Sequence, residues 1–145
     1  MTMEVFSLQK RIAINASPAV IWEALTVPAV MQRWIVDVPV QIIITPRCGG
    51  QLQFSGDLHG IPFNNHGEIL HWKPEQFVQY TYWSSLSQQA DVPEHYARIS
   101  FRLDEPGHLH FAQENILTAP TYHHFNYYWN TALGLIKKVC EEPVQ

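Results

Sequence analysis

His66 and Glu68 are the two residues of this 145-residue chain at which acid-base chemistry could begin. Residues two apart on a strand share a face, so an imidazole and a carboxylate would stand side by side. Burial near an apolar pocket would then tune the pair as a general base. A polyketide cyclase or hydrolase would turn such a base on an acidic carbon or a water. Nothing else completes a catalytic set: there is no nucleophile elbow, no phosphate-cradling glycine loop and no paired metal ligands. Glu114 and Tyr80 are reserve candidates. His108 and His110 also share a strand face, yet Leu109 and Phe111 take the inward side and send both imidazoles to solvent. His123 and His124 are adjacent at a helix start, diverge by about 100° and cannot ligate one ion from a regular helix. No metal and no cofactor is expected.

A second chemistry is recognition by burial, and it is carried by the stretch FNYYWNTALGLIKKV, residues 125–139. Stepping about 100° per residue puts Phe125, Tyr128, Trp129, Ala132, Leu133, Ile136, Val139 and Cys140 on one stripe of a helix running from about Thr121 to Glu141. Asn126, Tyr127, Asn130, Gly134, Lys137 and Glu141 face outward. The first half of the stripe is aromatic and the second aliphatic, so its two ends face different surroundings.

The elements that must cover this stripe precede it. LQKRIAINA reads as a strand with Leu8, Ile12 and Ile14 on one side. SPAVIWEAL and PAVMQRWI then open two short helices, each with proline in the first turn and the first with Ser17 as N-cap. From Val40 onward six strand signals follow, in VQIIITP, GQLQFSG, GEILHW, FVQYTYW, YARISFRL and HLHFAQENI, with a turn expected at Asn64-Asn65. Short links make them an antiparallel meander. By alternation the inward residues are Val78, Tyr80 and Tyr82, then Ile99, Phe101 and Leu103, then Leu109, Phe111 and Gln113. Arg98 and Arg102 fall on the solvated face. The polar stretch SSLSQQADVPEH is the expected mobile loop.

The expected fold is therefore α+β and spans residues 1–145 as one domain. It has a seven-stranded antiparallel sheet curved around a long C-terminal helix, with two short helices after strand one. In that order and in its motifs the chain resembles the helix-grip superfamily of START-like and birch-pollen-allergen-like domains (SRPBCC). Within it, the chain resembles the family of the C-terminal domain of the activator of the 90-kDa heat-shock-protein ATPase. The residues that carry the resemblance are ASPAVIWEALTVPAVMQRWI (Ala16 to Ile35), CGGQLQF (Cys48 to Phe54) and GEILHWKPEQFVQYTYW (Gly67 to Trp83). The resemblance implies a cavity between the concave face of the sheet and the long helix. It does not by itself imply a function, because the fold hosts lipid carriers, hormone receptors, cyclases and co-chaperones.

Bulk composition narrows the partners. A net charge of −4 with no basic run longer than Lys137-Lys138 excludes a nucleic-acid binder. The N-terminal stretch has neither a signal-peptide core nor a membrane span, and Cys48 and Cys140 lack metal or redox spacing, so a cytoplasmic protein with reduced thiols is expected. Apolar residues reach 46% against 15% charged, which calls for a large interior or an apolar contact surface.

The leading expectation is a cavity that binds a hydrophobic or amphipathic small molecule without covalent chemistry. Its walls would be Val78, Ile99, Phe101, Phe111, Phe125 and Trp129, with Tyr80, Tyr82, Gln113 and Tyr128 setting orientation. Trp34 is placed either as a lid over the cavity or as packing at the open end of the sheet. The rival readings are a cyclase or hydrolase resting on His66 and Glu68, and a stress-response module that contacts a chaperone through the sheet's outer face or the loop near Pro93. Exposed Tyr127 and Asn130 beside Gly134 would permit a helix-mediated homodimer.

Overall fold

A computed structural model describes residues 5–142. Strand β1 (Phe6–Ala13) leads into helices α1 (Pro18–Thr26) and α2 (Pro28–Met31). Six strands follow, β2 (Val40–Ile44), β3 (Gln51–Leu58), β4 (Ile61–Lys73), β5 (Phe77–Ser84), β6 (Ala97–Arg102) and β7 (His108–Ile116), and the chain closes with α3 (Ala119–Glu141). The strands form one seven-stranded sheet in the order β1-β7-β6-β5-β4-β3-β2, with every neighbouring pair antiparallel. It is the expected α+β helix-grip architecture: a curved open sheet, two short helices after the first strand and a long helix at the end.

Local chemistry sets the boundaries. Ser17 caps α1, its hydroxyl accepting from the Val20 N–H at 3.3 Å, and Pro18 occupies the first turn, where its missing N–H has no intrahelical role. Val27 ends α1 and begins α2 in one extended residue, so the two helices turn against each other without a linker. Helix α3 starts two residues earlier than its aromatic pattern suggests. Thr118 is the cap, accepting from Thr121 N–H at 3.2 Å, and Pro120 lies in the first turn.

Strand β4 departs most from expectation. Asn64 and Asn65 lie inside it, paired with Ser55 and Phe54 of β3, and form no turn. The reversal is at His59-Gly60, where both residues take positive φ and the Asp57 carboxylate accepts from the Gly60 N–H at 2.5 Å. Further along β4 the backbone of β5 comes so close that a Cβ on Gly67 would sit 1.6 Å from the Thr81 carbonyl oxygen. A bulge between Ile69 and His71 then changes which residues face inward and turns Trp72 toward Trp22 of α1, with ring centroids 5.1 Å apart.

Helix α3 packs on β1, β7 and α1 and buries Trp129, Ala132, Leu133, Ile136 and Cys140, while Tyr127 is 77% exposed. Two charged side chains pin its edges. The Lys10 ammonium donates to Asn126 Oδ1 at 2.7 Å, and Lys137 Nζ donates to the Ala13 carbonyl at 2.8 Å. Among the described residues no helix is long and apolar enough to cross a membrane.

Candidate functional site

The helix does not meet the sheet evenly. At its C-terminal end Leu133 and Ile136 are buried in the same hydrophobic core as Leu109 and Ile14. At its N-terminal end a cavity of about 500 Å³ opens between Phe125, Tyr128 and Trp129 of α3 and the concave face of the sheet. This is the difference that the aromatic and aliphatic halves of α3 anticipate.

Trp34, Tyr80, Tyr82, Ile99, Gln113, Phe125, Tyr128 and Trp129 all line the cavity. Val78, Phe101 and Phe111, expected beside them, do not. All three face inward, but they sit one layer deeper. Phe101 and Phe111 pack on each other at 5.5 Å and against the Trp129 ring at 5.8 and 4.2 Å, so the indole covers them. Alternation identifies the inward face of a strand; how close the helix lies decides which part of that face stays open. Trp34 is a fixed wall rather than a lid. It is buried, donates its indole N–H to the Ala24 carbonyl at 2.7 Å and leans on Trp129 at 6.2 Å.

Sequence reasoning missed the far wall. Phe54, Phe63 and Asn65 line the cavity from β3 and β4, Ser84 from the end of β5, and Leu86, Ser87, Gln89 and His95 border its mouth from the segment after β5. With the turn moved to His59-Gly60, the alternation Phe63, Asn65 would have found the first part. His124, at the start of α3, also borders the mouth.

Among the described residues no Asp, Glu, Lys or Arg lines the cavity; its polar side chains are mainly hydroxyls and amides, with the imidazoles of His95 and His124 at the mouth. The phenols are held neutral. Burial, with Tyr128 and Tyr82 as neighbours, pushes the Tyr80 hydroxyl far above the ordinary phenol range. Tyr82 keeps some accessible surface toward the cavity, yet it is enclosed by protein and its hydroxyl is pushed up to about 12 by burial. Tyr128 is raised for the same reason, and its hydroxyl is engaged, donating to the Ile35 carbonyl at 2.6 Å. That bond ties α3 to the segment between α2 and β2.

Gln113 is fully buried at 0% exposure; its Oε1 accepts from Trp129 Nε1 at 2.8 Å. Two side-chain polar atoms on the cavity wall lack partners, Gln113 Nε2 and Asn65 Oδ1.

His66 and Glu68 stand outside this site. Asn65 faces the cavity, so its neighbour His66 points to the outer face of β4, and neither His66 nor Glu68 lines the cavity. His66 Nε2 lies 2.9 Å from the Tyr96 hydroxyl and 3.1 Å from Asp91 Oδ2, and the ring stacks on Trp83 at 5.2 Å. The pair therefore does not face into this cavity. Glu114 is likewise on the outer face, paired with Arg98 at 2.9 Å.

Comparison with solved structures returns the same architecture across nearly the whole chain. A Cytophaga hutchinsonii protein solved in solution is 26% identical, with TM-score 0.79, 95% of this chain and 94% of that chain covered. The Aha1 dimer of Colwellia psychrerythraea is 21% identical, with TM-score 0.73 and 94% and 96% covered. A Mesorhizobium loti protein is 19% identical, with TM-score 0.73 and 97% and 100% covered. No curated protein matches the chain. The family described as Activator of Hsp90 ATPase homolog 1-like protein matches residues 15–141, from three residues before the first short helix to the last residue of the long one, and the chain belongs to that family.

Proposed function

We propose that this domain binds a hydrophobic or amphipathic small molecule in the cavity beneath α3 and performs no covalent chemistry on it. The observation that carries the reading is the cavity itself. Its volume of about 500 Å³ falls in the range of small-molecule sites, its exposed walls are mostly apolar, and among the described residues no Asp, Glu, Lys or Arg lines it. Burying apolar ligand surface supplies affinity at about 25 cal/mol per Å² before the cost of immobilisation. Tyr80, Tyr82 and Gln113 are the groups available for orientation, while the Tyr128 hydroxyl is occupied by Ile35. A cytoplasmic setting accords with the free thiols of Cys48 and Cys140.

Two measurements test the proposal together: native mass spectrometry of freshly purified protein before and after denaturation, and titration of ligand-stripped protein with the uncharged dye phenylnaphthylamine. The expected result is an extra mass that leaves on denaturation, or uptake of one dye per chain. A folded protein that carries no extra mass and takes up no dye overturns it.

A further inference from the structure

We infer that the occupant of the cavity is electrically neutral and seats a carbonyl-type oxygen on the side-chain amide of Gln113. This inference rests on the ligand-binding reading above and narrows it to a chemical class.

The argument starts from the direction of the amide. An indole N–H can only donate, so the Trp129 contact at 2.8 Å requires that the carbonyl oxygen of Gln113 point to α3. The amide nitrogen is then the other branch, and its orientation is decided by chemistry rather than by choice of flip. That nitrogen is buried, belongs to a residue of the cavity lining and has no protein acceptor among the described residues. An unpaired buried donor is costly, and a native structure leaves one when something outside the chain completes it. What is missing is an acceptor.

The surroundings limit which acceptor fits. Register places Gln113 opposite Ile99, and Ile99 opposite Tyr80, so the amide and the phenol flank one isoleucine on the same concave face. Both offer protons. A carboxylate would be a second candidate by hydrogen bonding alone, but it would bring a full charge to a buried wall where, among the described residues, no Lys or Arg lines the cavity and the two lining imidazoles, His95 and His124, stand at the mouth. A ketone, ester or amide oxygen accepts the same proton without that charge.

The test uses three probes of similar size: heptyl phenyl ketone, octylbenzene, in which a methylene replaces the carbonyl, and para-heptylbenzoate, which is ionised near neutral pH and carries its carboxylate on the ring opposite the chain. Each displaces phenylnaphthylamine from the wild-type protein and from Gln113→Met. The ketone is expected to lose about tenfold in affinity in the variant while octylbenzene stays within about twofold. In the wild-type protein the benzoate is expected to bind at least about tenfold more weakly than the ketone. The Gln113 side-chain amide proton signals in a nitrogen-correlated NMR spectrum should move with the ketone and not with octylbenzene. This keeps the test decisive if the variant does not fold. Equal changes for ketone and hydrocarbon, an unmoved amide signal, or benzoate binding as tight as the ketone's overturns the inference and leaves the ligand-binding reading standing. Failure of the dye and all three probes to bind folded wild-type protein removes both.

Discussion

Gln113 on β7 accepts the indole proton of Trp129 on α3 at 2.8 Å, and this bond joins the concave face of the sheet to the helix lying across it. It forms at the boundary between the filled and open parts of the interior, because Trp129 covers Phe101 and Phe111 on one side and lines the cavity on the other. Replacing Gln113 by Leu strands the indole donor in an apolar setting. The expected cost is about 1–3 kcal/mol in chemical denaturation, and a combined Gln113→Leu, Trp129→Phe variant should lose less than the sum of the two single changes. Strict additivity would show that the bond contributes nothing to stability.

Core and cavity residues should separate in a truncation series. Phe101 is 1% exposed and wedged between Phe111 and Trp129, so Phe101→Ala should destabilise by about 3–5 kcal/mol. Phe125 is half-buried and faces space that is already open, so Phe125→Ala should cost less in stability while changing dye uptake more. Denaturation midpoints and dye titrations on the two variants check this. The opposite pattern would place the cavity on the wrong side of Trp129.

The difference between these two phenylalanines also marks how far the sequence could be read. Strand order, the paired short helices and the stripe of α3 follow from period and punctuation, since Ser17, Pro18, Pro28 and the aromatic spacing act locally. That Phe101 is covered and Phe125 is not depends on where a helix settles over a sheet more than a dozen residues away in the chain, which no local pattern contains. Asn65 was hidden for another reason. An Asn-Asn pair has turn chemistry, but here the Asp57 side chain and the positive φ of His59 and Gly60 take the reversal five residues earlier. His66 and Glu68 share one strand face in the sequence, but whether that face is the inner or the outer one depends on register, because a one-residue change exchanges the two faces.

His66 has a mechanical role on that outer face. With Asp91 and Tyr96 it closes a hydrogen-bonded triangle that holds the segment between β5 and β6, part of which borders the cavity mouth. The groups are half-exposed, so His66→Ala should shift global stability by less than about 1 kcal/mol. Amide hydrogen exchange over residues 85–92 should nevertheless speed up, and the dye should leave faster. Unchanged exchange in that segment would show that the triangle restrains nothing.

The tyrosines predict behaviour in alkali. Tyr80, Tyr82, Tyr96 and Tyr128 all have hydroxyls raised above the ordinary phenol value, by burial first in each case, and Tyr82 and Tyr96 reach about 12. For Tyr96 the neighbouring Asp91 adds to the rise, since a phenolate would face a carboxylate. A phenol whose folded value exceeds its unfolded value holds its proton longer in the folded state. The folded protein therefore binds more protons than the unfolded chain between about pH 10 and 12, and stability falls with rising pH across that window. Below about pH 10 the contribution is fully present. Spectrophotometric titration of the folded protein at about pH 11 should leave these four hydroxyls un-ionised, and adding denaturant at the same pH should release their phenolate absorbance in one step. A ligand that fills the cavity should delay that release for all four together, because it stabilises the folded state that protects them. Simultaneous ionisation of all four near pH 10 in the folded protein would mean that water reaches the phenols freely, and that the cavity is no enclosed apolar site.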